Sequence, residues 1–247
     1  ASLHLKLKSI GKMKFLILIF GLISVTRAVT FNCTFEMRVG SHLSLTYACD
    51  TKTLTNINSN QTLTAVYGTH LSGKSNADVG LLVLNNFTSL TFFPRGIEDF
   101  FPNLIALYIQ HCNIKSLIGN ELDPFPQLTW FVLRHQPNLE RIPGSLFAKT
   151  PLVHTMWMHD NKLKYIGHDL FDSLSHLERA FFYVNPCTDG YAYALNSNQI
   201  PPLIEFLRSS CPSCPNMNEL VCTLNDQNRV IMQQNSGLKT QVNDVAT

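Results

Sequence analysis

Imidazole and carboxylate side chains recur at a fixed interval through the middle of this chain. His111, His135 and Asp160 stand 24 and 25 residues apart, and His159 adjoins the last of them. Two imidazoles and a carboxylate drawn to one edge have the ligand types of a zinc site. The same row also reads as the polar rim of a binding surface, which is the preferred reading, and no metal or other cofactor is assigned from it. Protonation of His135 and His159 beside Arg134 would make such a rim more positive below about pH 6. A second group keeps the same interval: Tyr108, Trp130, Arg134, Trp157, His159, Arg179, Phe181 and Tyr183, which include both tryptophans of the chain. Trp, Tyr and Arg are the types that dominate binding energy at protein interfaces. Ser, His and Asp are present, but no nucleophile motif, phosphate loop, H-E-x-x-H or kinase signature places them for catalysis. These residues point to recognition, not to an enzyme.

The elements that must position them repeat with the same period. Five rungs begin at Val79, Leu104, Leu128, Val153 and Leu177, and each reads L-x-x-L-x-L with apolar substitutions. They are Val79/Leu82/Leu84, Leu104/Leu107/Ile109, Leu128/Phe131/Leu133, Val153/Met156/Met158 and Leu177/Ala180/Phe182. The ninth position holds Phe87, Cys112, Gln136, Asn161 and Asn185, and apolar residues follow at Ile114, Leu117, Leu163 and Ile166. The chain resembles the leucine-rich repeat family on these residues, and its period falls in the family's range. One such turn cannot bury its apolar side alone, so turns stack and each touches only its neighbours. The resemblance implies an α/β solenoid, a horseshoe with a parallel concave sheet, disulfide-bonded terminal caps and a C-terminal helix.

In that architecture side chains alternate along each strand, so positions three, five and seven face the concave side. They read Leu81, Val83, Asn85; Ala106, Tyr108, Gln110; Trp130, Val132, Arg134; Thr155, Trp157, His159; and Arg179, Phe181, Tyr183. An exposed aromatic stripe in such a chain marks a contact with a partner or a dimer surface, or else it is covered by the protein's own tail or an N-terminal loop. Five rungs about 4.8 Å apart make a strip long enough for a standard interface of about 800 Å² per partner.

The 247 residues carry a formal charge of +2. Residues 1–12 read as leader sequence upstream of Met13. Met13–Ala28 has a lysine, an apolar run and a small residue at its end, which is the pattern of a secretory signal peptide cleaved after Ala28. Removing 1–28 takes away five basic and no acidic side chains, so the remainder has 14 basic and 17 acidic groups and a net charge of −3. Nucleic acid is not an expected partner, and no later segment is long enough to span a membrane.

Seven cysteines in a secreted chain imply disulfides. Cys33 and Cys49 flank a strand-like segment and are expected to pair across an N-terminal hairpin. Asn185-Pro186-Cys187 resembles the start of a family C-terminal cap. Ile200 to Arg208 reads as a short amphipathic helix, with Pro in its first turn and apolar residues at 203, 204 and 207. Cys211 follows it and is expected to pair with Cys187. Cys112, at a ninth position, is expected to be a buried free thiol. Cys214 and Cys222 are left for either an interchain bridge or a second bridge in the cap. Asn32, Asn60 and Asn86 begin sequons that mark surface glycosylation.

Residues 221–245 show apolar and Asn positions seven apart, Val221, Asn228, Asn235 and Val242, with Leu224, Ile231, Leu238 and Val245 three residues later. This is a short heptad pattern, read as a coiled coil or a flexible tail. The organisation expected is leader and signal peptide 1–28, N-terminal cap 29–78, repeats 79–186, C-terminal cap 187–214 and coil or tail 215–247. Signal peptide, repeats, clustered cysteines and coil together resemble the mosquito leucine-rich repeat immune proteins and related dipteran proteins. That resemblance implies disulfide-linked dimers outside the cell that bind complement-like thioester proteins. This chain has few rungs and a short coil beside them. Three functions follow as expectations: a secreted recognition or adaptor protein acting in innate immunity; a structural extracellular protein that self-assembles; and a metal-dependent hydrolase using the histidine row, which would require stoichiometric zinc.

Overall fold

The computed structural model describes residues 29–40, 43–55, 62–188 and 192–213. The leader, Asn60, Cys214, Cys222 and the heptad segment lie outside the described residues. Eleven strands are described: β1 Val29–Gly40, β2 Leu43–Thr55, β3 Leu63–Tyr67, β4 Leu81–Asn85, β5 Ala106–Gln110, β6 Trp130–Arg134, β7 Arg141–Ile142, β8 Thr155–Trp157, β9 Tyr165–Ile166, β10 Arg179–Phe181 and β11 Tyr193–Ala194. One α-helix, α1, covers Ile200–Ser210.

The repeat sets the sheet. Strands β4, β5, β6, β8 and β10 are mutually parallel neighbours, and equivalent repeat positions pair: Leu81 with Ala106, Ala106 with Trp130, Trp130 with Thr155, Thr155 with Arg179. Each rung can thus present the same positions to the same side as its neighbour. Positions one, four and six of all five rungs are buried in one continuous apolar cluster. The return segments run behind it, with 3₁₀ turns at Gly144–Phe147 and His168–Phe171 and a two-stranded parallel sheet of β7 and β9. This is the parallel-sheet solenoid of leucine-rich repeats.

Both ends are capped. At the N-terminal end β1 and β2 form an antiparallel hairpin, β2 pairs with β4, and β3 adds beside β1. The Cys33–Cys49 disulfide joins the hairpin strands. Gly68 ends β3 with φ +134°, where a Cβ would stand 2.2 Å from the Cys33 carbonyl oxygen, so a side chain cannot fit this close backbone approach. At the C-terminal end β11 pairs antiparallel with β10. Helix α1 starts with Pro201 and Pro202 in its first turn and buries Ile200, Leu203 and Leu207. The Cys187–Cys211 disulfide fastens it. Among the described residues no helix is long and apolar enough to cross a membrane.

After the first rung, where it is Phe87, the ninth residue closes each rung where the strand bends away. Asn161 donates Nδ2–H to the carbonyls of Leu133 (2.8 Å) and Met158 (2.9 Å), and its Oδ1 accepts the Gln136 amide (2.8 Å). Asn185 repeats this with Met158, Phe182 and the Leu163 amide. Gln136 reaches the Arg134 carbonyl and accepts from the Ile114 amide with its longer side chain. Cys112 directs its thiol to the Gln110 and Leu84 carbonyls, and burial pushes its pKa up to about 11.

Candidate partner-binding face

The concave side of the sheet is three columns of side chains. Position three gives Leu81, Ala106, Trp130, Thr155 and Arg179; position five gives Val83, Tyr108, Val132, Trp157 and Phe181; position seven gives Asn85, Gln110, Arg134, His159 and Tyr183. The first three residues of the first column and part of the second are sealed against each other. Leu43, Ala48, Leu81, Val83, Ala106, Trp130 and Val132 form an apolar cluster separate from the main core, with Tyr108 and Trp157 packed on it. Trp130 and His159, expected from the sequence as open contacts, are buried, at 6% and 4% exposure. The reason is lateral packing. Adjacent rungs are about 4.8 Å apart, and Trp130 is paired on either side with Ala106 and Thr155, which leave room for an indole to lie down.

Towards the C-terminal end the face opens. Tyr108, Arg134, Trp157, Arg179, Phe181 and Tyr183 are all partly exposed. Their rings form an unbroken series of edge contacts: Tyr108 to Trp130 (6.3 Å), Trp130 to Trp157 (5.8 Å) and Trp157 to Phe181 (5.5 Å). Phe181 then stacks on Tyr193 (6.4 Å), which is 42% exposed. Tyr193 extends the face beyond the last rung. The repeat pattern gave no sign of it, because β11 joins antiparallel and outside the period.

Arg134 ties the columns together. Its Nε and Nη2 donate to Gln110 Oε1 (3.0 and 2.8 Å), and Nη2 also donates to the Tyr108 hydroxyl (2.6 Å). Its Cζ lies 5.5 Å from the Tyr108 ring centre and 5.3 Å from that of Trp157, within cation–π range. Nη1 donates to His159 Nε2 (3.3 Å). Arginine can only donate, so His159 Nε2 is unprotonated and its proton sits on Nδ1. From there it goes to Asp160 Oδ2 (2.5 Å). Tyr183 stacks on His159 at 4.4 Å. Burial lowers the pKa of His159 below its ordinary value, with Asp160 pulling the other way, and burial likewise lowers that of His135. These two imidazoles therefore stay uncharged to lower pH than unperturbed histidines would.

The row at position eight has a backbone cause. Asn86, His111, His135, Asp160 and Val184 all have positive φ, between 51° and 65°. Asn, Asp and His tolerate the left-handed region better than most residues. His111 stacks on His135 at 4.2 Å. Ligating atoms of His135, His159 and Asp160 lie within 4.8 Å of one another, so these three have the donor types for a divalent ion. Both nitrogens of His159 are already committed, one as acceptor from Arg134 and the other as donor to Asp160. A metal on Nδ1 would move the proton to Nε2, facing the Arg134 donor. His111 is not part of that trio. Of the sequons, Asn32 is exposed on β1 and Asn86 is exposed beside the first rung of the face.

No family model matches the chain, and no curated protein does. Solved structures that are similar to it include three. The Toll–Spatzle complex, described as a hub in Drosophila development and innate immunity, is 16% identical over 51% of this chain and 17% of that chain, with a TM-score of 0.41. The LRIM1/APL1C complex is 21% identical over 63% of this chain and 31% of that one, with a TM-score of 0.40. The APL1 leucine-rich repeat domain is 21% identical over 65% and 44%, with a TM-score of 0.41. The chain thus spans less than half the length of each of these. The repeat architecture itself rests on the rung register, the continuous core and the ninth-position hydrogen bonds described above.

Proposed function

We propose that this chain is a secreted recognition or adaptor protein that holds a protein partner on the C-terminal half of its concave face. The observation that carries the reading is the partly exposed strip of Tyr108, Arg134, Trp157, Phe181 and Tyr183 with Tyr193 at its end. These are hot-spot residue types, held rigid by one another on a sheet, and such preorganised aromatic and guanidinium groups lose little entropy on binding. The open, elongated shape suits a protein surface better than a small molecule, which favours an enclosed pocket. Paired cysteines favour an oxidising compartment. The signal-peptide pattern of Met13–Ala28 supports secretion, and the sequons support glycosylation. The resemblance of repeats, cysteines and heptads to mosquito immune proteins supports innate immunity, a complement-like ligand and a dimer through the C-terminal coil with Cys214 or Cys222.

The test is capture of the partner from native body fluid by the mature chain with its disulfides intact, followed by affinity measurement on the purified pair. Trp157→Ala and Tyr183→Ala are each expected to weaken binding by about 2 kcal/mol. Trp130 is a poor choice for this purpose, because truncating a buried indole also destabilises the fold. Unchanged affinity in both variants, with folding intact, rejects the face as the site. One feature favours the alternative of a self-assembling structural protein. Met37, Val39 and Leu45, on the N-terminal hairpin, are 41%, 74% and 60% exposed. That reading differs in stoichiometry, since purified chain alone would form large species instead of binding one partner per site.

A further inference from the structure

The charge of the concave face is opposite in sign to that of residues 29–247 taken together. Its fifteen positions contain Arg134, Arg179 and His159 and no Asp or Glu. The remainder of the chain after residue 28 has a net charge of −3. Glu178 adjoins Arg179 at the last rung, and two other carboxylates beside the face are engaged. Asp50 on β2 is paired with Arg38 and Lys52, at 2.5 and 2.6 Å. Asp160 accepts from His159 and lies 4.0 Å from His135.

At the centre of this field the Arg134 guanidinium is fixed by neutral groups only: Gln110, the Tyr108 hydroxyl and the unprotonated nitrogen of His159. Among the described residues no carboxylate stands within 4.0 Å of it, and Nη1 has one of its two hydrogens still to place. A partly buried cation held in position without a counter-ion is costly, and an anion that reaches it removes that cost. Unused hydrogen-bonding capacity nearby has the same sense. The Trp130 and Trp157 indole N–H groups are buried donors with no hydrogen-bond partner, and Trp130 is itself 6% exposed. The unpartnered acceptor on the face, Asn85 Oδ1, lies two rungs away towards the N-terminal end.

We infer that the face recognises an acidic protein segment and seats a carboxylate side chain on Arg134 between the Tyr108 and Trp157 rings. This rests on the partner-binding reading of the same face and adds the chemistry of the partner. Asp160 has a defined part in it. By accepting from His159 Nδ1–H it keeps Nε2 an acceptor, which aims the guanidinium and leaves its charge for the guest. Arg179, two rungs on, adds a second positive charge on the approach path and speeds encounter with an acidic surface.

The test uses the mature full chain and three fluorescent peptides that alternate tyrosine with glutamate, glutamine or lysine. Fluorescence polarisation reads their affinities at low and high salt. The glutamate peptide is expected to bind at least about tenfold tighter than its glutamine isostere, with the preference shrinking as salt rises. Arg134→Gln is expected to abolish the preference, Arg134→Lys to retain part of it, and Arg179→Gln to reduce it. Lys162→Gln, a charge change outside the three columns, is expected to leave it unchanged, and circular dichroism checks that each variant folds. Equal binding of glutamate and glutamine peptides, both lost in Trp157→Ala, would overturn the acidic specificity while the binding face stands. Glutamate preference that survives Arg134→Gln, or no binding of the glutamate peptide at all, also overturns it. Peptide binding that is indifferent to Trp157→Ala strikes at the face itself.

Discussion

Arg134, His159 and Asp160 act as one unit, because the guanidinium and the carboxylate together fix the tautomer of the imidazole between them. The arginine can only donate, so it forces His159 into the tautomer that donates to Asp160. A protonated His159 would turn Nε2 into a donor facing the guanidinium. Burial, the largest cause, already lowers the His159 pKa from 6.5, and burial lowers that of His135 as well. The linkage sign follows. As pH falls through 6.5 the unfolded chain takes up protons that the folded chain refuses, so stability is full above 6.5 and declines below it, down to the depressed folded pKa. Urea melts between about pH 7.5 and 5 are expected to show this decline. In His159→Gln, where an amide oxygen can still accept from Arg134, the decline should be shallower. An equally steep loss in the variant would show that the decline comes from other groups, His135 among them, and not from His159. The eighth-position residues, by contrast, are chosen by backbone shape. Val184 shows it by its cost: it is β-branched, 56% exposed and has φ 56°, a conformation in which its side chain crowds the backbone.

The last four rungs are closed by the side chain of the ninth residue, and the three types found there do unequal work. Asn161 satisfies two carbonyls and one amide, all buried, whereas the Cys112 thiol can only donate weakly to carbonyls. Asn161→Ala should therefore cost about 3 kcal/mol, the desolvation of several backbone groups at once, while Cys112→Ala should cost clearly less than that. Comparing urea midpoints at matched m-values checks the order, and a smaller loss in Asn161→Ala than in Cys112→Ala contradicts it. This level of structure was legible in the sequence. Positions four and six alternate with three, five and seven, so within the repeat architecture their spacing assigned them to opposite faces of a strand, and the ninth residue announced the bend. The cap pairs Cys33–Cys49 and Cys187–Cys211 were legible too, since each follows a short element that a bridge can close. The degree of exposure on the concave side was not. Whether Trp130 stands up or lies flat depends on Ala106 and Thr155, its neighbours on other rungs, and a period read along the chain does not weigh neighbours across it. Tyr193 was hidden for a related reason, because its strand runs antiparallel after the repeat has ended.

Stacked rungs exchange stability only with their neighbours, so the cap on a terminal rung decides how much of that end stays folded. Here the proposed partner-binding strip lies at that end. Phe181, Tyr183 and Tyr193 belong to the last rung and the strand beyond it, and the core beneath them, Ala180, Phe182, Ala192 and Ala194, is grouped with Ile200, Leu203 and Leu207 of α1. The Cys187–Cys211 bridge holds that helix across a separation of 24 residues. Closing a loop of this size restricts the unfolded chain by about 3 kcal/mol. Replacing both cysteines by serine is expected to loosen the cap first, because few rungs lie between it and solvent. Hydrogen exchange should then accelerate at 178–182 and 193–194 while β4, β5 and β6 keep their protection. Affinity for a partner on the strip should fall in the same variant although none of the contact residues has changed. Uniform acceleration across all the strands would mean that the solenoid unfolds as one cooperative unit, and the cap would then stabilise the whole molecule instead of gating its binding end.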